Sequence, residues 1–255
     1  MKIFIFLIFL SLCVSADSMV AYWDFSDYGN SLTSDQSGNG HHASVYGATH
    51  VSDGYSGNAF LLDGIDDGLI VDNHPNLNPS YMSASMWFKP YDLSTVTALM
   101  VHRSDFLVGS FFLYLDRDQI VLDTFGSDGF NESGSYRSRW YTGYRASLNQ
   151  WTHVAFTYDG TARTLYINGS YYDQNLEDLG PNASTTQFLS IGRDSAVDRY
   201  FFNGMIDEVS FWNTALNQQE IAGLYACNIV PEPVFLWMFV TGILFFLLRN
   251  IRKSR

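Results

Sequence analysis

Cysteine is scarce in this chain, which holds only two in 255 residues, Cys13 and Cys227. Cys13 falls in an N-terminal segment that we expect to be removed, so the mature domain should contain no disulfide bond. A domain of roughly 200 residues can bury enough apolar surface to be stable without one. Cys227 is then a free thiol, an intermolecular link or a small apolar residue at the end of the last helix.

Basic residues are also few. The chain has 14 Lys and Arg against 26 Asp and Glu, and five of the bases lie at its two ends. Between residues 17 and 230 the balance is nine basic to 25 acidic residues, a formal net charge of −16. Such a surface repels phosphate backbones, and no basic run interrupts it. The composition therefore excludes nucleic acid as a partner.

Long helical periodicity is missing before the C-terminal part of the chain. Short stretches of alternating apolar and polar residues are instead separated by Gly, Asn, Asp and Ser, which is typical of an all-β sandwich. Turn residues at 116–118, 158–160 and 168–169 predict tight hairpins. A short helix is predicted for residues 217–226. The predicted strands are residues 20–25, 59–63, 68–71, 84–89, 111–115, 119–124, 151–158, 164–167 and 205–212.

Familiar catalytic motifs are absent from the sequence. It has no Gly-x-Ser-x-Gly elbow, no Walker loop and no His-Glu-x-x-His zinc motif. Asp207 and Glu208 are neighbours on a predicted strand, so they should point to opposite faces and cannot flank one glycosidic bond. Asp116 and Asp118 have a suitable spacing, but they fall in a hairpin turn. We therefore predict that the protein is not an enzyme, with a divergent glycoside hydrolase as the alternative.

The two ends of the chain predict export. Residues 1–16 combine Lys2, an apolar core and a Val-Ser-Ala ending, as secretory signal peptides do, and we predict cleavage after Ala16. Residues 234–248 form an uncharged apolar run that predicts a transmembrane helix. Four basic residues follow this helix: Arg249, Arg252, Lys253 and Arg255. Because positively charged flanks stay in the cytoplasm, we predict that the C-terminal end of the helix is cytoplasmic.

Pro231, Glu232 and Pro233 stand just before this apolar run. Pro-Glu-Pro, an apolar helix and an Arg-rich end, in this order at the C-terminus, resemble the PEP-CTERM sorting signal of Gram-negative bacteria. The resemblance implies an exosortase as a partner, which cuts near Pro-Glu-Pro and passes the protein to the cell surface or the extracellular space. A plain tail anchor is the alternative. The predicted organisation is a signal peptide (1–16), one domain (17–227) and a sorting segment (228–255).

The domain between these ends carries further familiar motifs. Its first half contains V-A-Y-W-D-F from residue 20, D-Q-S-G-N-G from residue 35 and F-L-L-D-G-I-D-D from residue 60. Its second half contains W-T-H-V-A from residue 151, L-Y-I-N-G from residue 165 and G-M-I-D-E-V from residue 204. Over nearly the whole domain these motifs resemble LamG-like jelly rolls of the concanavalin A-like lectin/glucanase superfamily. The resemblance implies a jelly-roll β-sandwich of two antiparallel sheets, frequently with bound calcium, and usually a role in binding or adhesion.

One loop of the domain predicts a calcium site. Asp35, Ser37 and Asn39 place oxygen-bearing side chains at alternate positions before a glycine, so the loop can wrap around a hard cation. The resemblance adds Asp207 and, more weakly, Asp24 to this shell. A turn whose side chains cap their own backbone is the alternative. A second acidic cluster is interpreted as a set of turn formers, namely Asp63, Asp66 and Asp67.

Residues 136–145 interleave aromatic and arginine side chains in an otherwise acidic domain. Aromatic rings stack on sugar faces and arginine binds acidic groups, which predicts a polysaccharide-binding segment with Tyr136, Arg139, Trp140 and Tyr144. In a strand, Tyr136 and Trp140 would point to one face and Arg139 to the other. An ordinary strand with one buried and one exposed face would show the same pattern, which is the alternative. We predict a non-catalytic surface protein that binds extracellular polysaccharide; a purely structural matrix component is the third alternative.

Overall fold

The computed structural model describes residues 18–103, 109–125, 137–176 and 187–226. The predicted signal peptide, Tyr136, Cys227 and the whole sorting segment with its Pro-Glu-Pro lie outside these residues. Within the described ranges, no helix combines the length and the apolar character that crossing a membrane requires.

The described chain folds into two antiparallel β-sheets and one short helix, which confirms the predicted all-β, jelly-roll-like sandwich. The helix is α1 (Gln218–Tyr225), and a single 3-10 turn covers Pro75–Leu77. The strands are β1 (Met19–Trp23), β2 (Leu32–Thr33), β3 (Ala43–Tyr46), β4 (Thr49–Val51), β5 (Ala59–Asp63), β6 (Gly68–Val71), β7 (Met82–Pro90), β8 (Val96–Arg103), β9 (Gly109–Asp116), β10 (Gln119–Phe125), β11 (Arg137–Arg145), β12 (Thr152–Tyr158), β13 (Arg163–Ile167), β14 (Ser170–Asn175), β15 (Leu189–Ile191) and β16 (Asn203–Trp212).

The two sheets face each other across one core. The back sheet has the order β14-β13-β12-β7-β16-β5-β4, and β1 pairs with the second half of β16. The front sheet has the order β11-β10-β9-β8-β15-β6-β3-β2. Phe111 of the front sheet meets Phe156 and Phe211 of the back sheet, with ring centres 5.0 and 6.1 Å apart. Such interdigitated aromatic side chains fill the space between two stacked sheets.

The helix covers part of the outer face of the back sheet. Ile221 and Leu224 of α1 pack on Trp212 and Tyr166 in a buried cluster that is separate from the main core. Asn217 caps the helix: its side chain accepts from the N–H of Glu220, whose carboxylate accepts from the N–H of Asn217. This capping box fixes where the helix begins and therefore which of its faces is buried.

The sequence-based boundaries agree with the structure where turn chemistry is strong. Asn168 and Gly169 both have positive φ and join β13 to β14 through a two-residue turn. Asp116 pairs with Gln119 at the other predicted hairpin, between β9 and β10. All nine predicted strands are present, and the structure adds β2, β3, β4, β8, β11, β14 and β15.

Candidate ligand-binding site

The outer face of the front sheet is apolar at its centre. Because side chains alternate along a strand, Leu113 of β9 enters the core while its neighbours Phe112 and Tyr114 point outward. The outward pair packs with residues of β8 and β10 in a second buried cluster, which contains Ala98, Val101, Val121 and Phe125. These side chains are at most 3% exposed, so the patch is covered rather than open to water, and its edge at Phe112 and Tyr114 borders the cavity described below.

A buried ion pair adjoins the patch. Nε of Arg103 donates a hydrogen bond to Oδ2 of Asp194 at 3.0 Å, and Nη2 of Arg103 contacts the same oxygen. Both side chains are fully buried, and the guanidinium lies 4.5 Å from the ring centre of Phe112. Since losing either partner would leave an uncompensated buried charge, the pair holds the loop between β15 and β16 against β8.

Two further arginines share one buried carboxylate at the edge of the patch. Arg139 donates from Nε to Oδ1 of Asp123 at 3.1 Å and from Nη2 to Oδ2 at 3.3 Å. Nε of Arg137 lies 3.5 Å from the same Oδ2. The Asp123 side chain is fully buried, whereas those of Arg137 and Arg139 are 27% and 35% exposed. One carboxylate therefore anchors two partly exposed cations.

Burial and charge attraction shift the pKa values of Asp123 and Arg139 in opposite directions. Burial raises the pKa of Asp123, against the lowering effect of its hydrogen bond and charge attraction to Arg139. Burial alone would lower the pKa of Arg139, but its hydrogen bond and attraction to Asp123 outweigh that effect and raise the pKa. Arg139 is therefore a permanent cation at the front face.

These residues border an open cavity of about 170 Å³. Among the described residues that line it, Asp116 at the end of β9 supplies the one carboxylate. Tyr141 of β11 is 49% exposed, and its hydroxyl accepts a hydrogen bond from Arg139 at 3.3 Å. The cavity thus combines cationic donors with flat apolar surface, as small-ligand sites do. Most of the described residues that line it are three arginines and three aromatic residues: Arg103, Arg137, Arg139, Phe112, Tyr114 and Tyr200.

The structure separates the four residues of the predicted polysaccharide-binding segment. Arg139 lines the cavity. Trp140 points to the other side of β11, where it is 6% exposed and belongs to the main core, and Tyr144 packs against that core. Tyr136 lies outside the described residues. The arginine therefore faces the cavity, and the two described aromatic residues follow the half-buried strand alternative.

Sequence analysis does not identify Arg103, Phe112 or Tyr200, because they come from three separate segments that only the fold brings together. One local signal was available for part of the site. In β9, Phe112 and Tyr114 alternate with Leu113 and so point to the opposite face. Apolar residues on both faces of a strand indicate that its outer face is apolar as well as its inner one.

Asp35 of the predicted calcium loop is buried and fully engaged with backbone groups. Its Oδ1 accepts from the N–H of Tyr22 at 3.0 Å and from the N–H of Ser37 at 2.9 Å, and its Oδ2 accepts from the N–H of His41 at 3.0 Å. A carboxylate that accepts several backbone N–H groups organises a turn. These bonds join the loop to β1.

Ser37 and Asn39 continue this connection to β1. The Ser37 hydroxyl donates to the carbonyl of Val20 at 3.1 Å. The Asn39 side-chain amide donates to the carbonyls of Met19 and Val20 at 2.9 and 3.0 Å. The hydrogen bonds of the turn alternative are therefore present, and the calcium assignment to this loop stays a prediction.

Asp207 and Glu208 correct one inference drawn from the sequence. Both carboxylates interact with Ser56: Oδ2 of Asp207 accepts from its N–H at 2.9 Å, and Glu208 makes a hydrogen bond to its side chain. The expectation that they point to opposite faces is wrong. Strand pairing between β16 and β7 shifts register between Asp207 and Ser210, and Glu208 has a φ of 51°. This β-bulge suspends the alternation on which the expectation rested.

The two buried carboxylates form an acidic group with Asp24, which is half-buried. Burial raises the pKa of Asp207 to about 8, and the charge of Glu208 adds to that rise. Burial also raises the pKa of Glu208, and the charge of Asp24 adds to it. The Tyr22 hydroxyl donates to Oε2 of Glu208 at 2.5 Å. The structure therefore places Asp24 and Asp207, two of the predicted metal ligands, around a third acid that the sequence analysis did not include.

The ligand oxygens of this group are of the kind that calcium takes, but those of Asp24, Asp207 and Glu208 do not all lie within 4.8 Å of one another. Calcium takes carboxylate and carbonyl oxygens as ligands. The charge of Glu208 adds to the rise in the pKa of Asp207, and the charge of Asp24 adds to that of Glu208, so a bound cation would relieve repulsion in this group. Among the described residues, Asp24, Asp207 and Glu208 form no ion pair with a basic side chain. A cation would therefore be the partner that offsets their repulsion.

Asp63, Asp66 and Asp67 are the one group of three acids in the described chain whose ligand oxygens lie within 4.8 Å of one another. Oδ2 of Asp67 accepts from the N–H of Asp63 at 2.9 Å, and Oδ1 of Asp63 accepts from the N–H of Ile65 at 2.8 Å. Arg193 donates to the carbonyl of Asp66 at 3.0 Å. These backbone hydrogen bonds agree with the interpretation of the cluster as turn formers.

A comparison with protein-family models identifies the family of the chain. The model of the "Concanavalin A-like lectin/glucanases superfamily" matches residues 63–222, which is more than half of the chain. The chain belongs to this superfamily. The matched residues include most of both sheets, the cavity and the Asp207–Glu208 bulge.

Solved structures of the superfamily fold are similar to the chain over most of its length. Domain 4 of AbnA, a GH43 extracellular arabinanase from Geobacillus stearothermophilus solved with arabinotriose, has a TM-score of 0.63 at 21% identity, covering 82% of this chain and 98% of that domain. The binding domain of Paraclostridial Mosquitocidal Protein 1 has a TM-score of 0.65 at 18% identity, covering 84% and 53%. The botulinum neurotoxin serotype G binding domain has 0.62 at 13%, covering 82% and 51%.

Curated relatives match a short part of this superfamily member. Pappalysin-1 of Mus musculus is 37% identical over 76 residues, which are 28% of this chain and 5% of that protein. Pappalysin-1 of Homo sapiens is 33% identical over 76 residues, 4% of its length. The chain thus spans a small fraction of these relatives.

The superfamily includes glucanases, so the positions of the acids matter for catalysis. Glycoside hydrolysis commonly needs two carboxyl groups on either side of the scissile bond. Asp207 and Glu208 are 0% and 6% exposed, and neither lines the cavity. Asp116 is alone among the described lining residues in carrying a carboxylate. The described part of the cavity therefore lacks the pair that this mechanism uses.

Proposed function

We propose that this chain is an exported, non-catalytic glycan-binding protein and that the front-face cavity is its binding site. The observation that carries the proposal is the cavity itself, where arginines and aromatic rings meet on an outer sheet face. A sugar ring has an apolar C–H face and polar hydroxyl groups. It therefore needs flat aromatic surface and directional hydrogen-bond donors in one place.

The size of the cavity suits one sugar unit of a longer chain. Its volume of about 170 Å³ is less than the roughly 300–1,000 Å³ of pockets that enclose a drug-sized ligand. Exposed Tyr141 extends the aromatic surface along β11. A polysaccharide can therefore place one unit in the cavity and lie across the strand with the next.

The similar structures support a binding role. Two of them are binding domains of toxins, and the arabinanase domain was solved with arabinotriose. With identities between 13% and 21%, they establish a common fold, and we draw from them only the class of function. The ligand class itself is argued from the cavity.

A divergent hydrolase is the second candidate, and one observation favours it. Asp207 and Glu208 lie side by side with raised pKa values, and neighbouring acids of this kind can serve as a general acid and its partner. Their burial argues against this role, because a glycosidic bond must reach both groups. A purely structural matrix component is the third candidate and predicts neither binding nor cleavage.

A glycan array combined with a polysaccharide hydrolysis assay separates the three candidates. Binding without cleavage, weakened at least about tenfold by Tyr200→Ala, is the expected result, since this change removes one aromatic wall of the cavity. Tyr171→Ala is the matched control, because Tyr171 is 52% exposed on the back sheet. Cleavage that disappears in Asp207→Asn would favour the hydrolase. A protein that binds and cleaves nothing would favour the structural component.

The ends of the chain support export and sorting as part of the proposed function. Residues 1–16 would direct secretion, and residues 234–248 would hold an intermediate in the inner membrane. An exosortase-type enzyme would then act near Pro231, Glu232 and Pro233 and release the protein to the cell surface or the extracellular space. Replacing these three residues with alanine should leave the chain in the membrane fraction of an exosortase-containing host. Release equal to that of the wild type would contradict this step.

We also propose a structural calcium ion at the acidic group of Asp24, Asp207 and Glu208. When bound, the ion would supply the positive charge that these buried carboxylates lack among the described residues. The loop with Asp35, Ser37 and Asn39, which the sequence pattern predicts as part of the same shell, is held to β1 by its own hydrogen bonds. The role of the ion is to stabilise the fold, and its ligands lie outside the glycan-binding cavity.

A further inference from the structure

We infer that residues 54–57, the cover loop, compete with the proposed calcium ion for the carboxylates of Asp207 and Glu208. This inference rests on the calcium ion proposed above and goes beyond it by naming what regulates its binding. The cover loop lies between β4 and β5. A turn closes it, in which the N–H of Gly54 donates to the carbonyl of Gly57 at 2.9 Å.

The cover loop lies between solvent and both acids. Asp207 and Glu208 are buried, whereas Ser56, which contacts both, is exposed. The N–H of Ser56 donates to Oδ2 of Asp207 at 2.9 Å, and the Ser56 side chain makes a hydrogen bond with Glu208. The backbone of Tyr55 adds a further hydrogen bond to Asp207. An ion that approaches these carboxylates from the side of Ser56 must therefore displace the loop.

The groups that the loop directs at Asp207 cannot bind a metal ion. A backbone N–H group has the positive end of its dipole at the hydrogen, so it stabilises a carboxylate as a cation does and repels a cation at the same place. The other oxygen of Asp207, Oδ1, accepts from the N–H of Glu208 at 2.8 Å. Calcium takes oxygen ligands. Closure of the loop and binding of the ion are therefore alternatives.

The ring of Tyr55 holds the loop in the closed position. It stacks on Trp87 with ring centres 3.3 Å apart and 15° between the ring planes. Trp87 is directly opposite Asp207 where β7 pairs with β16, so the stack lies beside the acid that the loop contacts. A stacked aromatic pair of this kind favours the closed loop about two- to tenfold.

Gly54 allows the loop to approach the acid this closely. A methyl group on Gly54 would lie 2.8 Å from Oδ2 of Asp207 and 2.6 Å from the carbonyl oxygen of Asn58. At such distances the loop has to move. Gly54→Ala therefore disfavours the closed loop by crowding, and Tyr55→Ala disfavours it by removing the stack. Two independent changes should then affect ion binding in the same direction.

The test is calorimetry of calcium binding to the full chain in mild detergent, after a chelator has removed bound metal. We expect Tyr55→Ala and Gly54→Ala to bind calcium about two- to tenfold more tightly than the wild type, because a larger fraction of the protein is already open. Tyr171→Ala is the matched control, since Tyr171 is an exposed tyrosine of β14, outside the cover loop. Asp207→Asn should abolish binding.

Trp87 provides a second measurement, which follows the loop itself. Its ring is 3% exposed and stacks on that of Tyr55. Calcium should separate the two rings and admit water to the indole, so the emission of Trp87 should shift to longer wavelength and acrylamide should quench it more strongly. Trp87→Phe should remove this response, which distinguishes it from the signal of the other tryptophans.

The possible outcomes distinguish this inference from the calcium proposal. Weaker binding by Tyr55→Ala would mean that the loop helps to hold the ion, and equal binding by the wild type and both loop variants would mean that loop and ion are independent. A Trp87 emission that ignores bound calcium would mean that the loop stays closed. Each of these results overturns the competition, while the calcium site stands if Asp207→Asn abolishes binding. If neither the wild type nor the loop variants bind calcium, both fail.

Discussion

The two outer faces of this sandwich carry buried charge in different ways. On the back face, Asp207 and Glu208 are buried beside Tyr22 and Ser56, and no basic side chain of the described chain pairs with them. On the front face, Asp123 and Asp194 are just as buried, but arginines contact both. The acids without a basic partner among the described residues favour a cation, whereas the paired acids hold arginines in place.

The covering of the two faces differs as well. Helix α1 packs over the back face, where Trp212 and Ile221 are fully buried. The centre of the front face has no such helix among the described residues, and its apolar cluster borders an open cavity. Side chains that are buried away from any opening contribute to the stability of the fold. Side chains that are buried beside an open cavity can also contact a ligand. The comparison associates stability chiefly with the back face and the proposed ligand binding with the front face.

The largest expected effect removes the main contact between the back sheet and α1. Trp212→Ala should lower the free energy of unfolding by about 3–5 kcal/mol, because it deletes a fully buried aromatic side chain. Glycan binding by the folded fraction should not change. The measurement is urea unfolding of the full chain in mild detergent, followed by tryptophan fluorescence.

Tyr200→Ala is the front-face counterpart of that experiment. It should cost about 1 kcal/mol of stability, because the side chain is only partly buried, and it should weaken glycan binding. The comparison of the two faces breaks down if both variants lose stability equally or if Trp212→Ala weakens binding while the protein remains folded.

The second effect is a pH dependence that arises from Asp207. Its carboxyl group ionises near pH 3.8 in the unfolded chain but near pH 8 in the folded protein. The folded state therefore binds an extra proton between these values, and stability falls as pH rises through this window, by at most about 1.4 kcal/mol per pH unit. Asp207→Asn should remove this contribution.

The measurement is the difference in unfolding free energy between wild type and Asp207→Asn at several pH values in the presence of a chelator. A difference is needed because buried His102 and His153, with pKa values lowered to about 4 and about 3, give the opposite slope below pH 6.5 in both proteins. Added calcium should stabilise the wild type and not the variant, by about 2.7 kcal/mol at a hundredfold excess over its dissociation constant. A constant difference from pH 4 to 8 would contradict the shift, and equal calcium effects would remove the proposed metal site.

The smallest effect concerns the start of the helix that covers the back face. Asn217→Ala removes the acceptor that serves the N–H groups of Gln219 and Glu220, which should cost about 1 kcal/mol. The shift in the midpoint of thermal unfolding measures it. Asn213→Ala, a substitution of the same type before the helix, serves as the control. A loss as large as that of Trp212→Ala would mean that the cap, rather than the packed face, determines the position of the helix.

Features set by neighbouring residues could be predicted from the sequence. Asn168 and Gly169 determine their turn through the conformations that they tolerate, and Asn217 with Glu220 determines a helix start. Strand β8 was not predicted, because its apolar residues are nearly continuous and show no alternation with polar residues.

Features that depend on distant parts of the chain could not be predicted in the same way. The bulge at Glu208 interrupts β16 only where β16 pairs with β7 and β1, so a rule of strict alternation placed its carboxylate on the wrong face. The cavity also depends on residues that are far apart in the sequence. Arg103, Tyr114, Arg139 and Tyr200 become neighbours only when β8, β9 and β11 lie in one sheet and the loop before β16 packs against it.

The position of α1 also sets the direction in which the protein presents its cavity. The first described strand, β1, and the last described element, α1, both belong to the back side of the sandwich, and the Tyr225 ring stacks on Trp87 of β7 at 5.3 Å. The chain therefore enters and leaves the domain on the side opposite to the cavity. Under the proposed anchoring of the C-terminal end, a long polymer would approach the front face without meeting the anchor, and copies fixed to one surface would present their cavities outward.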